Sequence, residues 1–114
     1  MNIYWGDLHN HCGITYGIGS LENALRIARN HLDFATVTPH AFWPDMPPRS
    51  PEIDYLIDFH EKGFSKIAEN WDAVKATIDR ANEPNMFTSL FSFEMHSSRY
   101  GDHHFVSPDR TLEI

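Results

Sequence analysis

Residues 6–13 read "GDLHNHCG", with His9 and His11 on either side of an asparagine and Asp7 two positions upstream. Side chains alternate along an extended chain, so Asp7, His9 and His11 share one face. That spacing lets two imidazoles grip one metal ion and leaves Asp7 to orient one of them from outside the ligand shell. The pair alone fits two partly exposed loop histidines equally well. His40 closes "TVTPH", directly after a strand-like stretch, and ligands in α/β folds collect at the carboxyl ends of strands. Residues 86–94, "MFTSLFSFE", alternate Phe87, Phe91 and Phe93 with Thr88, Leu90, Ser92 and Glu94. Glu94 ends the more polar face. A carboxylate there is costly to bury unless paired or bound to metal, and it has two oxygens with which to bridge two cations. Exposed, it is an ordinary strand-end glutamate.

"GDHHFV", residues 101–106, sets His103 and His104 on opposite faces, so one of them points into a site. His104 begins the apolar pair and is preferred. His96 shares the parity of Glu94 and is a weaker candidate. His31 and His60 fall in helical segments and read as surface residues, and Cys12 reads as a small packing residue. Arg49 and Arg99 lie in loops from which a guanidinium can clamp an anionic group, although an ordinary surface arginine is the commoner case.

The elements that must position these residues follow from periodicity and breakers. Residues 3–8 read as a strand, and "GITYGIG" as a glycine-punctuated loop. Ser20 caps a helix, "LENALRIARNH", with Leu21, Ala24, Leu25 and Ala28 at helical spacing. Residues 33–38 form a second strand, followed by a proline-rich loop, "PHAFWPDMPPRSP". Ser50, Pro51 and Glu52 mark a helix start, with the helix running to about Glu61 and broken by Gly63. A longer helix over 64–81 carries Ile67, Trp71, Val74 and Ile78 on one face. A third strand covers 86–94 and a fourth 103–107, stopped by Pro108. Strands alternating with helices predict parallel strands with crossover helices, an α/β fold.

The 114 residues suffice for one domain and one core. Eight histidines are the compositional outlier. The formal net charge is −7, and the nine lysines and arginines are scattered, which argues against a nucleic-acid partner and for small substrates. No apolar run approaches the roughly 20 residues of a membrane span. The start, "MNIYWGDLHNH", has no basic residues and turns polar by residue 6, unlike a signal peptide. A single cysteine excludes an intramolecular disulfide. These features predict a cytoplasmic location.

"DLHNH" at 7–11, "TPH" at 38–40, "FSFE" at 91–94 and "GDHHFV" at 101–106, in that order, resemble the PHP (polymerase and histidinol phosphatase) family. "YWGDLHNHCG" and "RYGDHHFV" resemble an uncharacterised branch of PHP-like metal-dependent hydrolases. The resemblance implies the N-terminal half of a distorted (β/α)7 TIM-like barrel, with 1–114 as one partial domain. It implies two or three divalent transition metals, zinc, manganese or iron. His9 and His11 would hold the first, Glu94 would bridge first and second, His104 would hold the second and His40 the third. Glu94 and His40 are also read as catalytic. Pro39 stands where the family has an acid, and Tyr16, Gly17 and Ile18 stand where it often has an Asp or His. The family's later strands would follow residue 114. A half-barrel leaves its fourth strand as an open edge, which a second copy or a completing chain would cover.

The implied activity is hydrolysis of a phosphate ester on a small anionic substrate by a metal-activated bridging water. One rival is an amidohydrolase acting on C–N or C–O bonds, which also begins with H-x-H. The other is a non-catalytic metal-binding fragment that needs a partner chain.

Overall fold

The computed structural model describes residues 1–114. In chain order the elements are β1 (Gly6–Asp7), α1 (Leu21–Arg29), β2 (Phe34–Ala35), β3 (His40–Phe42), α2 (Asp54–Ala81), β4 (Thr88–Ser89), β5 (Phe91–Met95) and β6 (His103–Ser107). No helix is long and apolar enough to cross a membrane.

Helix α1 begins where Ser20 signals it. The serine side chain accepts a hydrogen bond from Asn23 N at 3.2 Å, satisfying one of the free N–H groups of the first turn. Glu22 in the first turn and Arg26 and Arg29 in the last complement the helix dipole. Leu21 and Leu25 are buried.

Helix α2 corrects the expectation of two helices. It runs unbroken through Gly63 for 28 residues. Gly63 is a site of close approach and not a breaker. A Cβ there would stand 2.3 Å from Cε1 of Tyr16, so only glycine lets that ring lie against the helix. The start differs as well. The Ser50 carbonyl accepts from Ile53 N and Asp54 N at 3.0 and 2.9 Å, but its hydroxyl turns to Glu52, and Ile53 caps without a side-chain bond.

The core lies between the helices and the strands. Leu21 and Leu25 of α1 meet Ile67, Trp71, Val74 and Ile78 of α2, with Cys12, Val37 and Phe91. Complete burial of a side chain such as Ile67 contributes about 1.5–3 kcal/mol. Trp71 Nε1 donates to the Leu112 carbonyl at 3.0 Å, which ties the C-terminal segment to the core.

The strands overturn the half-barrel. They form two separate three-stranded sheets, ordered β1-β2-β4 and β3-β5-β6, with no barrel closure. With two helices and these short strands, the chain is too small for half of a (β/α)7 barrel. The first sheet is parallel, and in the second β6 runs antiparallel to β5. Two local features accompany this. The ladder of the first sheet ends at Ala35, and Pro39, which has no N–H for a ladder, stands immediately before the chain re-pairs as β3 at His40. The short turn between β5 and β6 returns the chain directly, where a barrel would need a crossover helix.

Candidate metal centre

Strand register builds the centre of the site. His40 on β3 is the register partner of Glu94 on β5, and His104 on β6 stands opposite Glu94 from the other side. Register neighbours project to one face of a sheet, so one carboxylate sits between two imidazoles. Asn10 lays the H-x-H segment over this row. Its carbonyl accepts from Thr38 N at 2.9 Å and Thr38 Oγ1 at 3.1 Å, and its side-chain amide donates to the Thr36 carbonyl. Asp7 Oδ1 accepts from the backbone N of His9 at 2.9 Å. Asp7 thus holds the backbone at His9 and makes no bond to either imidazole, contrary to the orienting role expected of it.

Four nitrogens converge on one oxygen. His9 Nε2, His11 Nε2, His40 Nδ1 and His104 Nε2 lie 3.6, 3.4, 3.6 and 3.4 Å from Glu94 Oε2. Glu94 is 3% exposed, and that oxygen has no hydrogen-bond partner. His9 Nε2 and His11 Nε2 are 3.0 Å apart. Ligands about 2.1 Å from one ion stand roughly 3.0–3.4 Å from each other in octahedral or tetrahedral shells. In the triangle of His9, His11 and Glu94 two edges, 3.0 and 3.4 Å, fall in that range, and the third, His9 to Glu94, is longer at 3.6 Å. His40, Glu94 and His96 make a second group whose ligand atoms lie within 4.8 Å of one another, and His104 belongs to neither group. The resemblance assigns His104 and His40 to separate further ions. The structure aims both at the same glutamate oxygen.

The electrostatics favour a cation. Burial, reinforced by His96, His11 and His60, pushes His40 down to about 3. Burial also lowers His11, with Glu94 opposing it and His9 and His104 reinforcing it. Both rings are therefore neutral at pH 7 and keep a lone pair for a metal. A buried carboxylate facing neutral rings calls for positive charge.

No protein-family model, no curated protein and no solved structure matches this chain.

The remaining expected residues are placed as follows. Arg49 donates to Asp58 Oδ1 at 2.7 Å and Glu61 Oε2 at 2.5 Å on α2, so its charge is spent on the helix. The Arg99 guanidinium lies 5.1 Å from the centre of the exposed Tyr100 ring. His103 turns its Nδ1 to the Gly101 carbonyl, away from Glu94. Cys12 is buried in the core, where burial raises its thiol. His31 is exposed.

Three residues belong to the neighbourhood that the sequence reading undervalued. His60 is partly buried, 5.0 Å edge-on from His96, and not on the surface. The apolar stripe of α2, followed back from Ile67 by seven residues through Gly63, leads to it. Tyr16 stacks on His40 at 4.3 Å, and burial followed by the Glu94 charge raises its phenol, which stays neutral. Asp102 Oδ1 bonds His96 Nδ1 at 3.0 Å. No local pattern marks Asp102, because a turn brings it back to His96.

A loop clamp holds this edge. Asp45 accepts from Ser97 Oγ, Ser98 N and Arg99 N at 2.9, 2.9 and 3.0 Å. Desolvation opposes ionisation of Asp45, but the Ser98, Ser97 and Arg99 bonds outweigh it and lower its carboxyl. The cluster itself opens to solvent at His9, whose side chain is 53% exposed. A cavity of about 340 Å³ lies between α1 and α2, and none of its lining residues belongs to the cluster.

Proposed function

We propose that the chain is a metal-dependent hydrolase that binds a divalent transition metal at His9, His11 and Glu94 and acts on a phosphate ester of a small molecule. The observation that carries the reading is the convergence of His9 Nε2 and His11 Nε2 on the buried, unpartnered Oε2 of Glu94. The PHP-like order of motifs supplies the reaction class. A divalent ion bound there supplies a Lewis acid for a phosphoryl oxygen and hydroxide at neutral pH.

The chain's own residues have distinct tasks. Glu94 supplies the negative charge that selects a cation, and its burial keeps that charge unscreened. His9 and His11 offer two imidazole nitrogens at a spacing held by Asn10 and Asp7. His104 closes the row on the β6 side at 3.4 Å from Glu94. Tyr16 covers one face of His40 and shields it from water. Arg99 is the loop arginine free of a carboxylate partner and is the candidate to meet an anionic substrate, because Arg49 is bound to α2.

The test is turnover of a generic phosphomonoester by protein purified without chelator, with metal content measured on the same sample. The reading expects at least one transition-metal equivalent per chain, with hydrolysis lost together with metal in His9→Ala. Metal retained without turnover on phosphomonoesters, phosphodiesters or amides would convert the reading to a metal-binding module. A folded protein that takes up no metal overturns it.

A further inference from the structure

His96 offers a second coordination position that the PHP-like ligand set leaves out. Its Nε2 and Nδ1 of His40 are buried and have no hydrogen-bond partner, as is Oε2 of Glu94. A buried polar atom without a hydrogen-bond partner is costly, and His40, Glu94 and His96 bring their ligand atoms within 4.8 Å of one another, so one cation would answer all three. The His96 ring is fixed from behind. Its Nδ1 is 3.0 Å from Asp102 Oδ1, so Nδ1–H donates to the carboxylate and the lone pair lies on Nε2. A histidine whose far nitrogen is held by a carboxylate is the common outer support of a metal ligand.

His40 is held just as firmly. Its ring lies parallel to His96 at 4.6 Å and 5°, and parallel to His11 at 4.5 Å and 4°. Tyr16 covers it at 4.3 Å. Its Nδ1 points at Glu94 Oε2 from 3.6 Å, a ligand-to-ligand edge of the same length as those of the first group. Strand parity explains why His96 takes part. Residues 94 and 96 lie two apart and project to one side of the chain. The Asp45 clamp on residues 97–99 then fixes the strand end that carries His96.

We propose that His40, Glu94 and His96 form a second divalent-cation position, with Glu94 shared between the two ions and Asp102 as the positioning residue for His96. This deepens the reading above and rests on it for the shared glutamate. It places His40 beside the first ion through Glu94, not at a separate third site.

The experiment is Zn2+ titration of the metal-free full chain against a chromophoric chelator, with elemental analysis of the loaded protein and circular dichroism of every variant. Wild type is expected to bind two zinc ions in two resolved steps. His96→Ala is expected to bind one, at the wild-type affinity of the retained step. Asp102→Asn is expected to keep both ions and weaken one step by about 10–100-fold. Cobalt substitution gives an independent readout, since two ions bridged by a carboxylate couple magnetically and one ion in His96→Ala does not. A wild type that binds one ion, with His96→Ala identical to it, overturns the second position and leaves the hydrolase reading standing. No zinc bound at all overturns both. If His96→Ala fails to fold, Asp102→Asn decides, and an unchanged pair of affinities overturns the proposal.

Discussion

The apolar packing of α1 on α2 and the histidine cluster share strand β5, yet they are completed in opposite ways. Phe91 at one end of β5 joins a core in which Leu25, Ile67 and Ile78 are buried against each other. The chain supplies everything that region needs. Glu94, three residues on, is as deeply buried but finds no hydrogen-bond partner for Oε2. Of the four buried side-chain polar atoms without a partner, three are in the cluster: His40 Nδ1, Glu94 Oε2 and His96 Nε2. One region is finished by folding, and the other leaves three buried polar atoms without a partner. The contrast separates residues that hold the fold from residues proposed to hold a cation.

Glu94→Gln breaks the comparison most strongly. It removes the oxygen charge on which both proposed cation positions rely, and metal affinity is expected to fall more than about 100-fold. The metal-free variant is expected to melt no lower than metal-free wild type, because an amide removes a buried charge. A metal-free variant that melts well below wild type would show that Glu94 serves the fold. Ile67→Ala is the reciprocal change. It is expected to cost about 2–5 kcal/mol in denaturant unfolding, with metal bound per folded chain unchanged. Gly63→Ala couples the two regions. The added Cβ displaces Tyr16 from α2 and so from His40, and a loss of about 1–3 kcal/mol is expected with a weaker metal affinity.

Two smaller effects follow from titration. His40 is held neutral down to about 3 in the folded chain, against an ordinary 6.5 when unfolded. Between those values the unfolded chain binds the extra proton, so stability rises with pH across that window. Metal-free protein is expected to lose stability progressively as pH falls below about 6.5. His40→Gln is expected to flatten that slope in urea midpoints measured from pH 7 to 4. The sign reverses for Asp45, whose carboxyl is lowered by the bonds from residues 97–99 once desolvation is overcome. Its contribution is present above the unfolded value and lost as pH falls below about 4. Asp45→Asn is expected to remove that last increment and to raise hydrogen exchange at Ser98 and Arg99.

The sequence displays some of this plainly. Parity alone separates His103 from His104 on β6, because strand alternation is a property of neighbouring residues, whereas His9 and His11 lie beyond the end of β1 and converge through the bonds of Asn10. The stripe of Ile67, Trp71, Val74 and Ile78 is equally local. The half-barrel is not local. Whether β2 and β3 stay in one sheet depends on Pro39 and on which strand accepts the hydrogen bonds that follow, and that pairing is decided across the fold. Gly63 reads as a breaker because propensity cannot show the Tyr16 ring that lies against it. His60 is hidden for the same reason, since the supposed break cuts the stripe that leads to it. Asp7 has the right face for its expected role, but the backbone N–H of His9 is the nearer donor.

The most direct test of the central claim is thermal melting of metal-free wild type with and without added Zn2+, with zinc uptake measured on the same sample. A ligand that binds only the folded chain stabilises it by an amount set by its concentration over Kd, about 2.7 kcal/mol at 100 times Kd. The account predicts zinc uptake and an upward shift in melting that Glu94→Gln abolishes. A folded wild type that takes up no zinc and melts at the same temperature with or without it would contradict the account.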